Sequence, residues 1–268
     1  MVTTSKGTAL VTGASSGIGA VYADRLARRG YDLILVARNR DRLDALATRL
    51  TSATGRTVEV LAADLSEETD IRRVEEVLRT DSSITLLVNN AGVGAASPLL
   101  ASDPAKMDSM ITLNVTALTR LAGAAARGFV ARGVGAIINI SSIVAVAPEL
   151  LNGVYGGTKA FVLAFSQSLH HELNDKGVKI QVVLPGAIST EFWDVAGLPI
   201  ENLPQTMVMN AQDLVDAALA GFDHGELVTI PSLPEVADWN AFEQARRTLG
   251  PNLSHRQPAK RFSVRAVA

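Results

Sequence analysis

Cysteine is absent from the 268 residues. That excludes disulfides, thiolate metal sites and a cysteine nucleophile, and it fits a reducing compartment. Charge of one sign is also lacking: 25 Lys and Arg stand against 27 Asp and Glu, a net −2. A broad basic field for nucleic acid is therefore ruled out. No uninterrupted apolar run approaches the ~18 residues of a membrane-spanning helix; the greasy stretch 115–131 is broken by Thr116, Thr119, Arg120 and Arg127. The first residues carry no charged leader followed by an apolar stretch. These absences predict a cytoplasmic chain with no nucleic-acid or membrane partner. Histidine is scarce, with only His170, His171, His224 and His255. His171-Glu172-Leu173-Asn174-Asp175 nearly spells a zinc-protease motif, but Asp175 stands where the second histidine is needed. Neighbouring His170 and His171 would point about 100° apart on a helix, so no metal site is expected.

What is present is an α/β pattern. Short apolar runs at 9–12, 33–37, 58–62, 86–88, 136–140 and 180–184 read as strands buried on both faces. Amphipathic segments at about 17–29, 40–53, 67–79, 104–131, 153–175 and 211–221 alternate with them. Strand, helix, strand in that order builds a parallel sheet by right-handed crossovers. At 47 % hydrophobic residues the chain can bury a sizeable core. We expect one domain over residues 1–250 with a substrate loop at about 187–210, where Gly186, Gly197, Pro199 and Pro204 break the periodicity. The segment 251–268, with Arg256, Lys260, Arg261 and Arg265 and no acid, reads as a solvated tail or an arm onto a neighbouring subunit.

The first strand runs into Gly13-Ala14-Ser15-Ser16-Gly17-Ile18-Gly19, and a helix follows. A helix N-terminus offers free N–H groups and partial positive charge to a pyrophosphate. Glycines let the backbone approach that anion. On its own such a turn is weak evidence, because a plain tight turn looks the same. The same letters also spell the hydrolase elbow G-x-S-x-G around Ser15, but it lies in the first strand-to-helix turn rather than deep in the chain. At the end of the second strand, where an acid would bind a ribose hydroxyl, stands Ala37, followed by Arg38-Asn39-Arg40-Asp41-Arg42. Arg38 can bind a 2′-phosphate bidentately, which predicts NADP(H) over NAD; a solvated helix start is the plainer reading. Asp64-Leu65 ends the third strand, where the Asp could accept from an adenine amino group or cap a helix.

Tyr155 and Lys159 are one helical turn apart on one face. A nearby ammonium stabilises a phenolate, so a tyrosine here could act as general acid or base. Taken alone, the pair is as common as any surface pair. Upstream, the strand 136–140 ends in Ser141-Ser142 at the sheet edge that borders the ligand crevice of parallel folds. Asn89-Asn90-Ala91-Gly92 ends the fourth strand, and Asn114, a poor helix-interior residue, predicts a functional kink in the next helix or a water contact. Pro185-Gly186 ends the sixth strand. Trp193 reads either as a roof over an apolar pocket or as packing. Ile143, Val144, Leu150 and Leu151 flank Ser142 and Tyr155 and predict an apolar carbonyl or alcohol substrate.

Together TGASSGIG at 12–19, Asp64-Leu65, NNAG at 89–92, Asn114, Ser142, YGGTK at 155–159 and PGAIST at 185–190 closely resemble the short-chain dehydrogenase/reductase family. The resemblance covers roughly residues 5–190. It implies a Rossmann-type, doubly wound parallel sheet of about seven strands with helices on both faces. It implies a catalytic tetrad of Asn114, Ser142, Tyr155 and Lys159: Tyr155 exchanges a proton with the carbonyl oxygen, Ser142 positions it, Lys159 binds the nicotinamide ribose and lowers the Tyr155 pKa, and Asn114 holds a water. The cofactor site implied by the turn chemistry and the resemblance comprises Gly13, Ser15, Ser16, Gly17, Ile18, Gly19, Arg38, Asn39, Arg42, Asp64, Leu65, Asn90, Ala91, Gly92, Tyr155, Lys159, Pro185, Gly186, Ile188 and Thr190. The expected function is NADP(H)-dependent hydride transfer to or from a small carbonyl or alcohol substrate. A serine hydrolase using Ser15 and a non-catalytic NADP(H)-binding sensor are the alternatives. Hydrophobic segments 104–131 and 153–175 exceed what one sheet face buries, which predicts a homodimer or homotetramer.

Overall fold

The computed structural model describes residues 6–262. Met1–Ser5 and the end of the expected tail, Arg265 included, lie outside the described residues. The chain divides into two compact units, one ending at Pro231 and one beginning at Ser232, earlier than the boundary expected at 250.

The first unit runs β1 (Thr8–Thr12), α1 (Gly17–Arg28), β2 (Asp32–Ala37), α2 (Arg40–Thr54), β3 (Val58–Ala62), α3 (Glu68–Thr80), β4 (Ile84–Asn89), α4 (Pro104–Ile111) and α5 (Leu118–Arg132). It continues through β5 (Gly135–Ile140), α6 (Gly153–Leu173), β6 (Val178–Val183), β7 (Ala187–Ser189), α7 (Phe192–Ala196), β8 (Val208–Asn210), α8 (Ala211–His224) and β9 (Val228–Thr229). Seven strands form one sheet in the order β3-β2-β1-β4-β5-β6-β9, all parallel. The order reverses between β1 and β4, so a crevice opens there at the carboxyl edge.

The uninterrupted apolar strands have a direct cause. Odd positions such as Ala9, Val11, Leu33 and Leu35 bury against α1, α2 and α8. Even positions such as Leu10, Ile34 and Val36 bury against α3 and α5. With helices on both faces, neither side needs a polar residue. The helix α3 shows the complementary pattern, burying only Ile71, Val74 and Leu78 along one stripe.

The expected helix 104–131 is not uniform. Between α4 and α5 the chain widens into a π-helical turn over Thr112–Ala117, and Asn114 lies inside it, so the expected kink is a π-bulge. The segment expected as a loop at about 187–210 carries structure of its own. There β7 and β8 pair in parallel over Ala187–Val208, Ile188–Met209 and Ser189–Asn210. The two-residue β9 completes the sheet edge; no expectation covered it.

The second unit contains α9 (Val236–Thr248), which the sequence reading left without an element. Its Trp239 and Phe242 rings lie 5.3 Å apart. Glu243 pairs with Arg246 and Arg247 one turn on.

Below the crevice a buried polar chain ties strands to helices. Asn89 Nδ2 donates to Asn139 Oδ1 at 3.0 Å, and Asn139 Nδ2 donates to Ser166 Oγ at 2.9 Å. Ser166 Oγ in turn donates to the Val162 carbonyl. The links run from β4 through β5 to α6, the helix that carries Tyr155 and Lys159. Replacing Asn139 by Ala would remove both links, leaving Asn89 Nδ2 with the Leu118 carbonyl at 3.4 Å and Ser166 Oγ with the Val162 carbonyl; each lost hydrogen bond is worth about 0.5–1.5 kcal/mol. Urea unfolding of Asn139→Ala should therefore show a loss of about 1–3 kcal/mol; a loss within experimental error would show that the polar chain carries no stability.

Candidate active site

A cavity of about 690 Å³ follows the carboxyl edge of the sheet. Its wall takes residues from the ends of β1 through β6, so at ~4.8 Å per strand step it extends roughly 24 Å.

One end is built on the glycine turn. Gly13, with φ +65°, takes a left-handed conformation that L side chains rarely adopt, and a Cβ there would meet Asn90 Nδ2 at 2.8 Å and the Ala91 Cα at 2.9 Å. The turn and the NNAG segment are bound together. Thr12 Oγ1 accepts from the Asn90 and Ala91 N–H groups at 2.9 and 3.0 Å, while Asn90 Nδ2 donates to the Thr12 carbonyl at 2.9 Å. Gly13, Ser15, Ser16, Gly17 and Ile18 line the cavity. Gly19 does not: it packs behind the turn, where a Cβ would sit 2.2 Å from the Gly13 carbonyl oxygen. The N-terminus of α1 has no side-chain cap and no acid in its first turn, whereas α2, α6 and α8 are each capped by an asparagine. Its N–H groups are thus free to face an anion.

Arg38, Asn39, Arg42, Asp64 and Leu65 also line the cavity, in different roles. The Arg38 side chain is 74 % exposed, with Asp64 at 3.9 Å as its ion-pair partner. Asn39 spends its side-chain oxygen capping α2, accepting from the Arg42 N–H at 3.0 Å. Arg42 donates to Glu191 at 2.7 Å, so its charge is shared with the segment after β7. Asp64 caps no helix; its Oδ1 accepts from the backbone and hydroxyl of Ser66.

At the other end, Ser142, Tyr155 and Lys159 meet on the cavity wall, with Ala91, Gly92, Pro185, Gly186, Ile188 and Thr190 between. Ser141 Oγ donates to the Lys159 carbonyl at 2.7 Å, which leaves Ser142 as the neighbour of the phenol. Asn114 departs from expectation: it is buried behind the wall rather than on it. Its Oδ1 accepts from the Val93 N–H at 3.0 Å, and its Nδ2 donates to the Val93 carbonyl and to Thr158 Oγ1. Its side chain braces the strand-end loop against α6.

The electrostatics also differ from expectation. Burial pushes the Tyr155 phenol up to about 12, with the Ser142 hydroxyl pulling weakly the other way. Lys159 Nζ donates to the Ile140 carbonyl at 3.0 Å and lies 5.8 Å from the Tyr155 ring centroid, and burial lowers its own pKa to about 8. Burial thus works against the expected lowering of the phenol by the ammonium. The phenol is the protonated, proton-donating form at neutral pH.

Around Tyr155 the wall is apolar. Ile143, Val144, Leu150 and Leu151 line it as expected, joined by Val93, Phe192 and Trp193. Trp193 is buried, its Nε1 donating to the Ile188 carbonyl at 2.8 Å. The ring against Tyr155 is instead that of Phe192, with centroids 5.8 Å apart. Sequence reading missed Phe192 and Glu191; their only signal was a place next to Trp193 in the aperiodic segment. No histidine among the described residues lines the cavity, so Ser15 lacks a base. Among the described residues no cluster of three metal-ligating side chains occurs and no helix is long and apolar enough to cross a membrane.

A doubly wound parallel sheet, with a glycine turn and a tyrosine–lysine pair on one cavity, defines a Rossmann-type fold with a candidate catalytic edge. A family model described as short chain dehydrogenase matches residues 7–197, and the chain belongs to this family of oxidoreductases. Among solved structures it resembles a short-chain dehydrogenase from Sphingobium yanoikuyae in complex with NADPH, at 50 % identity, TM-score 0.93, and 96 % and 100 % of the two chains covered. It also resembles a bulky-bulky ketone specific alcohol dehydrogenase from Comamonas testosteroni, at 47 % identity, TM-score 0.89, and 97 % and 99 % covered. Human 17-beta-hydroxysteroid dehydrogenase type 3 is 38 % identical over 186 residues, which span 68 % of this chain but only 59 % of that relative.

The buried lysine makes a pH signature. Folded Lys159 titrates near 8, against 10.5 for the ordinary side chain. Between those values the unfolded chain binds a proton that the folded one does not, so this group's contribution to stability is full above 10.5 and is lost as pH falls through 8. The stability difference between the native protein and Lys159→Met, measured in urea at pH 8 and pH 10, should shift in favour of the native protein at the higher pH. A flat or opposite trend would mean that the ammonium is solvated.

Proposed function

We propose that the protein is an NADP(H)-dependent carbonyl reductase or alcohol dehydrogenase acting on apolar ketones and the matching alcohols. The observation that carries this reading is a buried Tyr155 phenol, beside Ser142, on the same cavity as an uncapped helix N-terminus and the exposed Arg38. The residues fit the cofactor: the uncapped start of α1 offers its N–H groups to a pyrophosphate, and the cavity spans the strand ends a dinucleotide needs. When bound, NADPH supplies a hydride to a carbonyl carbon, and NADP⁺ takes one back from an alcohol.

The chain's own residues do the rest. The N–H groups of α1 hold the pyrophosphate, and Arg38 pairs with the 2′-phosphate. Lys159 would hold the nicotinamide ribose, and Asn90 would lie along the cofactor. Ser142 donates to the substrate oxygen and fixes it beside the phenol. Tyr155 delivers its proton to that oxygen as negative charge develops there. In the oxidising direction the phenolate is needed, and burial works against it. Val93, Val144, Leu151 and Phe192 exclude water and favour apolar substituents. The solved neighbours, one with NADPH and one described as specific for bulky ketones, support both halves of the reading. Exposed Ile111 and Phe161, on the segments expected to carry a subunit contact, keep a homodimer or homotetramer within the proposal.

The test is loss of NADPH absorbance with a panel of ketones. Tyr155→Phe should retain NADPH binding and lose about 10²–10⁴-fold in turnover; unchanged turnover would remove the proposed acid. Binding without turnover in the native protein would favour the sensor. Arg38→Ala should weaken NADPH more than NADH by about 1.5–3 kcal/mol, as for a hydrogen bond to a charged group. Equal native affinities for the two cofactors would overturn the NADP(H) assignment.

A further inference from the structure

Phe192 opens α7, directly after the PGAIST stretch. Its backbone N–H donates to Thr190 Oγ1 at 3.4 Å, and its ring meets Trp193 edge-on at 5.5 Å and Tyr155 at 5.8 Å. The ring is half-buried and packs with Met110, Val144 and Tyr155. Its far end rests on bare backbone: a Cβ on Gly94 would lie 2.2 Å from Phe192 Cζ and 2.8 Å from Cε2. No real Cβ tolerates that approach. Gly94 has an ordinary negative-φ backbone, so the need for glycine there is one of space. Phe192 lines the cavity and Gly94 does not, so the ring stands between Gly94 and the space beside Tyr155.

We propose that Phe192, seated on the bare backbone of Gly94, is the residue that sets the width of the substrate cavity beside Tyr155, and that Gly94 is a positioning residue acting through that ring. The inference rests on the carbonyl-reductase reading above and deepens it. A ketone with a second bulky apolar arm must share the space the ring occupies. A methyl on Gly94 pushes the ring inward and narrows that space. Loss of the ring opens it and also removes what Gly94 acts on.

The test compares acetophenone, with one bulky arm, and hexanophenone, with two, using the full chain and NADPH. The readout is the ratio of kcat/KM for the larger ketone to that for the smaller. Because pocket discrimination of this kind amounts to about tenfold or more, Phe192→Ala and the gentler Phe192→Leu should raise the ratio by about that factor, and Gly94→Ala should lower it by about the same. Since coupled neighbours are non-additive, Gly94→Ala should have no further effect on the ratio in the Phe192→Ala background. NADPH affinity and thermal midpoint separate misfolding from selectivity, and Phe192→Leu carries the test if Phe192→Ala does not fold. An unchanged ratio in the single variants, or an equal Gly94→Ala effect with and without the ring, overturns the proposal. Native protein that binds NADPH but reduces neither ketone overturns the reading beneath it instead.

Discussion

At the carboxyl edge of the sheet the chain leaves β1 toward one face and β4 toward the other, and the two strand ends would spread apart without a tie. Thr12 and Asn90 supply it. One hydroxyl takes both N–H groups that start the NNAG segment, and one amide grips the carbonyl at the end of β1. The glycine turn has a defined position only because of this clamp. Gly13 is pressed so close to Asn90 and Ala91 that no side chain fits between. Helix α1 then starts at a fixed height above the crevice, with its free N–H groups aimed into it.

The reactive end depends on a second layer of the same kind, made of amides rather than glycines. Asn114 binds both backbone groups of Val93 and reaches Thr158 on α6. Asn139 joins β4 and β5 to the same helix further along. Two points on α6, about two turns apart, are thereby held in place. Burial then acts on the groups so placed: it keeps the Tyr155 proton on the phenol and weakens the charge on Lys159. The desolvation that makes the pocket apolar also decides which protonation state waits in it.

How much of this could be read from the letters depended on whether its cause was local. Most of the six apolar strands were legible because burial on both faces writes itself into nearly every residue; β3, at the sheet edge, buries less and exposes Glu59. The glycine turn, Ser142, Tyr155 and Lys159 were legible because their spacing follows from a strand end or a helical turn. The two-residue β9 has too few letters to signal anything; it exists because the edge of β6 offers it hydrogen bonds, with the Val182 and Leu184 N–H groups donating to Leu227 and Thr229. The pairing of β7 with β8 joins segments separated by a helix and two turns. Arg42 and Glu191 lie 149 positions apart. Of two adjacent aromatics, Trp193 invited attention, yet the start of α7 turns Phe192 toward Tyr155. The burial that opposes a lowering of the phenol by lysine was hidden for a related reason. Spacing along a helix says how near two side chains are, but not how much water either has lost.

The π-bulge at Thr112–Ala117 has a consequence for how the chain can drift. One surplus residue in that turn puts α4 and α5 out of phase by about 100°, and in that offset phase Met110 meets Val144 and Tyr155. A one-residue deletion there would regularise the helix, yet rotate α4 and swing Met110 off the phenol's flank. Insertions and deletions across this stretch are thus constrained by angle rather than by length.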